Sequence, residues 1–268
     1  MTSSRSLVSL SAPEAASRVG PSSVVMLPIG AIEQHGPHLP LDTDALLADA
    51  AAQQLLDAPP PGVDLWGLPL LAYSASEEHL FSPGTLSLSE ATFLAVIDDV
   101  GRSVVALGAR RLVLLNGHGG NTALLRVAAR KLRLAYGLLV FLMHPVLSAD
   151  HGGPTGEDGE FGLGCHANAG ETSLMLHLHP DRVQMEKAVS NVPFFLQGYD
   201  HVGLGGAVTF GWSAADFGPS GVIGDPTLAT AERGKELWEA VIRQLGASLV
   251  EVARFDFPGS VLPVGAPR

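Results

Sequence analysis

The chain has 268 residues, 46% hydrophobic and 16% charged, which suits one large globular core and excludes a disordered protein. Sixteen Lys and Arg against 27 Asp and Glu leave a net charge of −11, so the surface repels phosphate backbones and anionic lipid. No nucleic acid and no membrane are expected as partners. Cys165 stands alone, which removes an intrachain disulfide and a cysteine-cage zinc site. Residues 1–20 lack the apolar core of a secretory signal. The longest apolar runs, such as Leu138–Met143, fall far short of the roughly 20 residues of a spanning helix. The expectation is a cytoplasmic protein.

Ser23–Ile29 is a continuous apolar run ended by Gly30, as in a buried parallel strand. A Gly/Pro-rich loop follows to Thr43, and Asp44–Leu56 then has helix formers with apolar residues three and four apart. Val63–Leu71 is predicted as a second strand. Ser87 and Glu90 form an S-x-x-E capping box that opens a helix to about Leu107. Arg111–Leu115 is the third strand, halted by Asn116-Gly117. Asn121 or Thr122 caps a helix whose apolar face holds Leu124, Leu125, Ala128, Ala129 and Leu132. Leu138–Met143 is the fourth strand.

Beyond it, His144–Ala169 is rich in Gly, His and Asp and too long for an ordinary connection. Glu171–Leu178 is predicted helical, Gly203–Gly224 irregular, and Asp225-Pro226 to open a terminal helix running to about Phe255. This alternation predicts a mainly parallel α/β sheet with helices on both faces. A single domain is expected over residues 1–268, with a tail to about residue 20.

Ligands of such sheets bind beyond the carboxyl ends of the strands, and the polar residues collect there. The first loop carries Glu33, His35, His38, Asp42 and Asp44; the third carries Asn116-Gly117-His118-Gly119-Gly120-Asn121. After the fourth strand come His151, Asp158, His166 and Glu171. Carboxylates and imidazoles without thiolate suit Zn, Mn or Fe(II). Glu33 and His35 are placed to reach different ions, Asp44 to bridge them, and His118 to enter between flexible glycines. Two ions about 3.5–4 Å apart would activate a shared water and polarise a carbonyl.

Plainer readings stand beside this one. Asp42 or Asp44 serves equally as a helix cap, and the NGHGGN loop as an anion-binding nest at a helix N-terminus. His177 and His179, before Pro180, suit the C-terminal end of a helix dipole. His38, between prolines, reads as loop scaffolding or as support behind the ligands. Glu77, Glu78 and His79 follow the second strand and face the same cleft if the next loop folds back. Cys165 reads as inert, and His144, His151 and His201 carry no argument.

These residues resemble the creatininase family of metal-dependent amidohydrolases. The matching segments are Glu33-Gln34-His35-Gly36-Pro37-His38-Leu39-Pro40 with Asp44, Pro83-Gly84-Thr85, Asn116 to Asn121, His166 to Glu171-Thr172-Ser173, and Gly224-Asp225-Pro226-Thr227. They span roughly residues 20 to 245. The resemblance implies a three-layer α/β/α fold and two divalent ions per subunit, Zn, Mn or Fe. Glu33, Asp44 and His118 match ligands of one ion, and His35 and Asp44 match ligands of the other. His166 matches the histidine that handles protons, and a homohexamer is the usual assembly.

Creatininases proper carry a glutamate where this chain has Gly120, and Glu171 is the candidate replacement. They also wall the creatinine ring with tryptophans, whereas none lies between His144 and Pro180 here. Glu78, His79, Gly119 and Gly120 are the candidate substrate contacts. The expected reaction is attack of a metal-bridging hydroxide on a small, cyclic amide, formamide or amidine other than creatinine. The NGHGGN form is also similar to family branches that include the mycofactocin-maturation peptidase and formamidopyrimidine-nucleotide deformylase. A metallopeptidase and a non-catalytic anion-binding domain are the alternatives.

Overall fold

The computed structural model describes residues 5–145, 159–205 and 207–260. Strands β1 (Val24–Ile29), β2 (Leu65–Gly67), β3 (Arg111–Asn116) and β4 (Leu139–Met143) form one parallel sheet in the order β2-β1-β3-β4. From β1 the chain passes to β2 on one side, then returns to lay β3 on the other. Strand order thus reverses between β1 and β3, whose last paired residues are Ile29 and Asn116. A reversal of this kind leaves a crevice at the carboxyl edge of the sheet.

The α-helices of the described residues are α1 (Ala12–Arg18), α2 (Thr43–Asp57), α3 (Glu90–Ala106), α4 (Thr122–Tyr136), α5 (Ala169–Leu178) and α6 (Ala231–Arg254). Alternation along the strands divides them between two cores. Val24, Met26, Val113 and Leu115 pack with Leu47 of α2, Leu174 of α5 and Leu245 of α6. Val25, Leu27, Ile29, Leu112 and Leu114 pack with Phe93 and Ile97 of α3 and Leu125 and Leu132 of α4. Every side chain of β1 and β3 is therefore buried, as the unbroken apolar runs predict, and each large one contributes about 1.5–3 kcal/mol. The result is the expected three-layer α/β/α arrangement.

Local boundaries depart from expectation in four places. The second strand is three residues long because Pro69 has no N–H to continue the ladder. The chain still runs beside β1, with Leu68 N donating to Met26 O at 2.8 Å and Leu71 N to Pro28 O at 2.9 Å. Helix α3 is capped by Ser89, which accepts from Thr92 N, whereas Ser87 Oγ accepts from Ser76 N at 2.8 Å. Asp225 caps only the single turn Pro226–Leu228, and Thr230 caps α6, accepting from Arg233 N at 3.1 Å. The predicted tail contains α1, and Leu7 and Val19 on either side of it join the second core. His151 and Asp158 lie outside the described residues.

Two glycines set how near α2 comes to the strand ends. A Cβ on Gly30 would lie 2.4 Å from Ala45 Cα, and one on Gly117 would lie 2.6 Å from Asp44 O. Only bare backbone at both positions lets the first turn of α2 sit against β1 and β3, with Asp44 inside the crevice. Gly30→Ala is expected to push this turn outward at a cost of about 1–3 kcal/mol in urea unfolding. It should also weaken divalent-metal uptake. An unchanged midpoint would show that α2 shifts freely.

Candidate metal centre

The loop after β1 is closed by its own backbone and by a second loop. Glu33 N donates to Leu41 O at 2.9 Å, and Gln34 N donates to Thr85 Oγ1 at 3.2 Å. The Pro83-Gly84-Thr85 segment thus clamps Glu33 and His35 from outside. After β3, Asn116 folds the NGHGGN loop on itself. Its Nδ2 donates to His118 O at 2.6 Å, and its Oδ1 accepts from Asn121 Nδ2 at 3.1 Å. With both asparagines engaged in this way, the loop projects His118 into the crevice.

Glu171 arrives from the N-terminal turn of α5. Asn168 caps that turn by accepting from Glu171 N at 2.9 Å, and Glu171 Oε2 accepts from Ala167 N at 2.7 Å. Ala167 holds a left-handed φ of 51° to aim this N–H, a conformation that costs a non-glycine residue about 1–2 kcal/mol. His38, fully buried, lies 2.8 Å from Thr172 Oγ1 through Nε2 and accepts from Gln184 N at its carbonyl. It therefore ties the first loop to α5 rather than entering the crevice.

Glu33, His35, Asp44, His118, His166 and Glu171 are all buried and converge. His35 Nε2 lies 3.1 Å from Asp44 Oδ1, while His118 Nδ1 is 3.2 Å from both Glu33 Oε2 and Asp44 Oδ2. Three trios have ligand atoms within 4.8 Å of one another: Glu33–Asp44–His118, His35–Asp44–Glu171 and Glu33–His35–His166. The first two share Asp44, whose two oxygens face different histidines. Glu33 Oε1 and Asp44 Oδ2 are buried but accept no hydrogen bond from the described residues, although imidazoles stand close by. Inward-facing carboxylate lone pairs outside any hydrogen-bond direction suit a cation. An anion in the NGHGGN loop would instead face two carboxylates, which argues against the nest reading.

The electrostatics are those of a charge-dense, dry site. Burial opposes charge on His35, yet Asp44 beside it, with Glu171 and Glu33, lifts its pKa to about 10. His118 is likewise held well above the ordinary imidazole range by Glu33, Asp44 and Glu78 against its burial. Burial would raise Asp44, but the two histidines hold it well below the usual carboxylate range. Glu171 is pushed up to about 7, chiefly by burial, with Asp44 and Glu33 adding and His35 opposing. His166 and His79 are lowered by burial, and the neighbouring rings add to it.

Glu78, His79, Gly119 and Gly120 line the pocket above this cluster, and His144 and Cys165 join them. Glu77, His177, His179 and His201 are not among its lining residues. Three contributors had no role assigned to them from the sequence. Ser76 Oγ donates to Glu33 Oε2 at 2.5 Å, fixing the carboxylate. Gln34 Nε2 lies 2.8 Å from His79 Nδ1 and donates to Gly221 O at 3.1 Å, so it orients a ring from a distant segment. Trp212 enters from the irregular stretch before α6 and lines the same pocket. Gly221 lies 187 residues along the chain from Gln34, and no local pattern announces that contact.

A parallel α/β/α sheet with a cluster of acidic and imidazole ligands at its switch point defines a class of metal-dependent hydrolases. The family model for creatininase, creatinine amidohydrolase, matches residues 8–249, and the chain belongs to this family. It is 35% identical over 227 residues to a mycofactocin precursor peptide peptidase of Mycobacterium ulcerans, covering 81% of each chain. It is 30% identical over 254 residues to creatinine amidohydrolase of Pseudomonas putida, covering 88% of this chain and 90% of that one. A solved manganese creatininase superposes with a TM-score of 0.73 at 27% identity, over 94% of this chain and all of that one. No helix among the described residues is long and apolar enough to cross a membrane.

Ligand histidines must be neutral, so a divalent ion competes with protons for His35 and His118. The surrounding carboxylates raise the proton affinity of both rings. Zinc or manganese binding is therefore expected to release protons and to tighten as pH rises. Titration calorimetry in two buffers of different ionisation enthalpy reads this directly. Identical heats in both would show that the rings are already neutral.

Proposed function

We propose that Glu33, Asp44 and His118 hold one divalent ion and that His35, Asp44 and Glu171 hold a second. The chain would then be a binuclear hydrolase of an amide-type C–N bond. The observation that carries this is the pair of trios sharing Asp44, each with its ligand atoms within 4.8 Å. Two ions so held would activate a water at neutral pH and polarise the carbon under attack. Zinc and manganese both suit a set of two imidazoles and three carboxylates, and iron is the third candidate.

His166 is the group we assign to the proton. Its Nε2 lies 2.6 Å from Gln34 O, which can only accept, so Nε2 carries the hydrogen and Nδ1 keeps a lone pair. Nδ1 points toward Glu33 Oε1 at 3.6 Å. The ring is stacked between His35 and His79, with centroids 4.3 and 4.1 Å away, and burial keeps it neutral. A neutral imidazole held in this way takes a proton from the attacking water and returns it to the leaving nitrogen. Gly119 and Gly120 line the pocket, and Trp212 lines it with them.

The substrate class is a small amide, formamide or amidine, cyclic forms included. Creatinine is disfavoured because no tryptophan lies between His144 and Pro180, where creatininases wall the ring. The second reading is a peptidase acting near the end of a short peptide, which the 35% identity to a peptide peptidase favours. Either reading fits a cytoplasmic homo-oligomer. Parallel assays on cyclic amides, formamides and short peptides separate the two.

Elemental analysis of protein purified without chelator or histidine tag should give about two divalent ions per chain, falling in Glu33→Gln. His166→Ala should keep its metal while losing about 10²–10⁴-fold in kcat. Loss of metal from His166→Ala would instead make the ring a ligand, in line with its trio with Glu33 and His35. Protein that takes up neither zinc nor manganese would overturn the hydrolase.

A further inference from the structure

Gly120 is where this chain departs from creatininases proper, and the space beside it is filled. A Cβ there would lie 1.8 Å from Glu78 Oε1 and 2.5 Å from His118 Nε2. Glu78 Oε1 itself stands 3.2 Å from His118 Nε2, within ion-pair reach though bent from a linear hydrogen bond. On the opposite side of the ring, Nδ1 faces Glu33 Oε2 and Asp44 Oδ2, each at 3.2 Å. His118 is therefore sandwiched, with the ligand carboxylates on one side and Glu78 on the other.

The placement of Glu78 limits what it can be. It belongs to none of the trios whose ligand atoms gather within 4.8 Å among the described residues, so it is not arranged as a ligand. Its main chain is anchored, since its carbonyl accepts from Ser213 Oγ at 3.1 Å. Its neighbour His79 is in turn held by Gln34 at 2.8 Å. A ring that offers Nδ1 to a cation must carry its proton on Nε2. A carboxylate at Nε2 selects that tautomer and fixes the ring plane.

We propose that Glu78 is the positioning carboxylate of His118, and that Gly120 is the residue that leaves room for it. The inference rests on the metal-centre reading above. It assigns a charge that lies outside the ligand set to the ring's far side rather than to substrate recognition.

The test is zinc affinity by competition with a chromophoric chelator, alongside kcat and KM, for Glu78→Ala, Glu78→Gln, Gly120→Ala and the Glu78→Ala/Gly120→Ala double variant. Glu78→Ala should weaken zinc binding about 10–100-fold, with full stoichiometry at saturating zinc. Glu78→Gln, which keeps an acceptor oxygen, should recover part of that loss. In Gly120→Ala the added methyl meets both the carboxylate and His118 Nε2, so its loss should be at least that of Glu78→Ala. The double variant should then be no weaker than Gly120→Ala alone.

Additive losses in the double variant would overturn the coupling. Wild-type zinc affinity in Glu78→Ala with a raised KM would make Glu78 a substrate contact instead. One ion missing at saturating zinc would make it a ligand. Failure of the wild-type chain to bind zinc or manganese would overturn the metal centre itself, an outcome separate from any of these.

Discussion

Three carboxylates, Glu33, Asp44 and Glu171, are buried together at the ends of two adjacent parallel strands, and this burden of charge shapes everything around it. Each ion taken out of water costs several kcal/mol unless paired. Here imidazoles supply the pairing: His118 serves Glu33 and Asp44, and His35 serves Asp44. Two oxygens are still left without a hydrogen bond. A divalent ion resolves that imbalance more completely than any rearrangement of neutral donors. This is why the cluster reads as a metal centre rather than as a set of structural ion pairs.

The scaffold is arranged to hold that burden still. The strand-order reversal opens the crevice, and bare backbone at Gly30 and Gly117 admits the first turn of α2 beside it. On the other side, α5 carries Glu171 and is braced by α6. A Cβ on Gly234 of α6 would lie 1.8 Å from Ser173 O, so the two helices meet almost backbone to backbone. The strained Ala167 and the buried Glu160, which accepts from Ala169 N at 3.0 Å and Asp225 N at 2.6 Å, fix the entry into α5. Rigidity of this kind keeps ligand atoms at coordination distance.

Membership in the creatininase family goes with a shared fold, while the loops set what differs. Glu78 stands beside Gly120 on the far side of the His118 ring. Trp212 reaches the same pocket from the stretch before α6. Both belong to loops around the buried trios rather than to the trios themselves. Variation in chemistry among relatives at 30–35% identity is in keeping with that division.

The strands, the helix positions and five residues of the buried cluster were legible in the chain itself. Apolar runs that stop at glycine or asparagine mark strand ends, and acidic and imidazole residues gather just past them. Those are local patterns, dictated by burial and backbone geometry over a few residues. The fold class and Glu33, His35, Asp44, His118 and Glu171 follow from them and from the family likeness. Which serine caps α3, what Gln34 and Ser76 hold, and which face of His118 meets Glu78 do not. The last two depend on segments 40 or more residues apart reaching one another, as Ser76 reaches Glu33 across 43. Such distances are set by how the two cores pack against the sheet, and only the tertiary structure decided them.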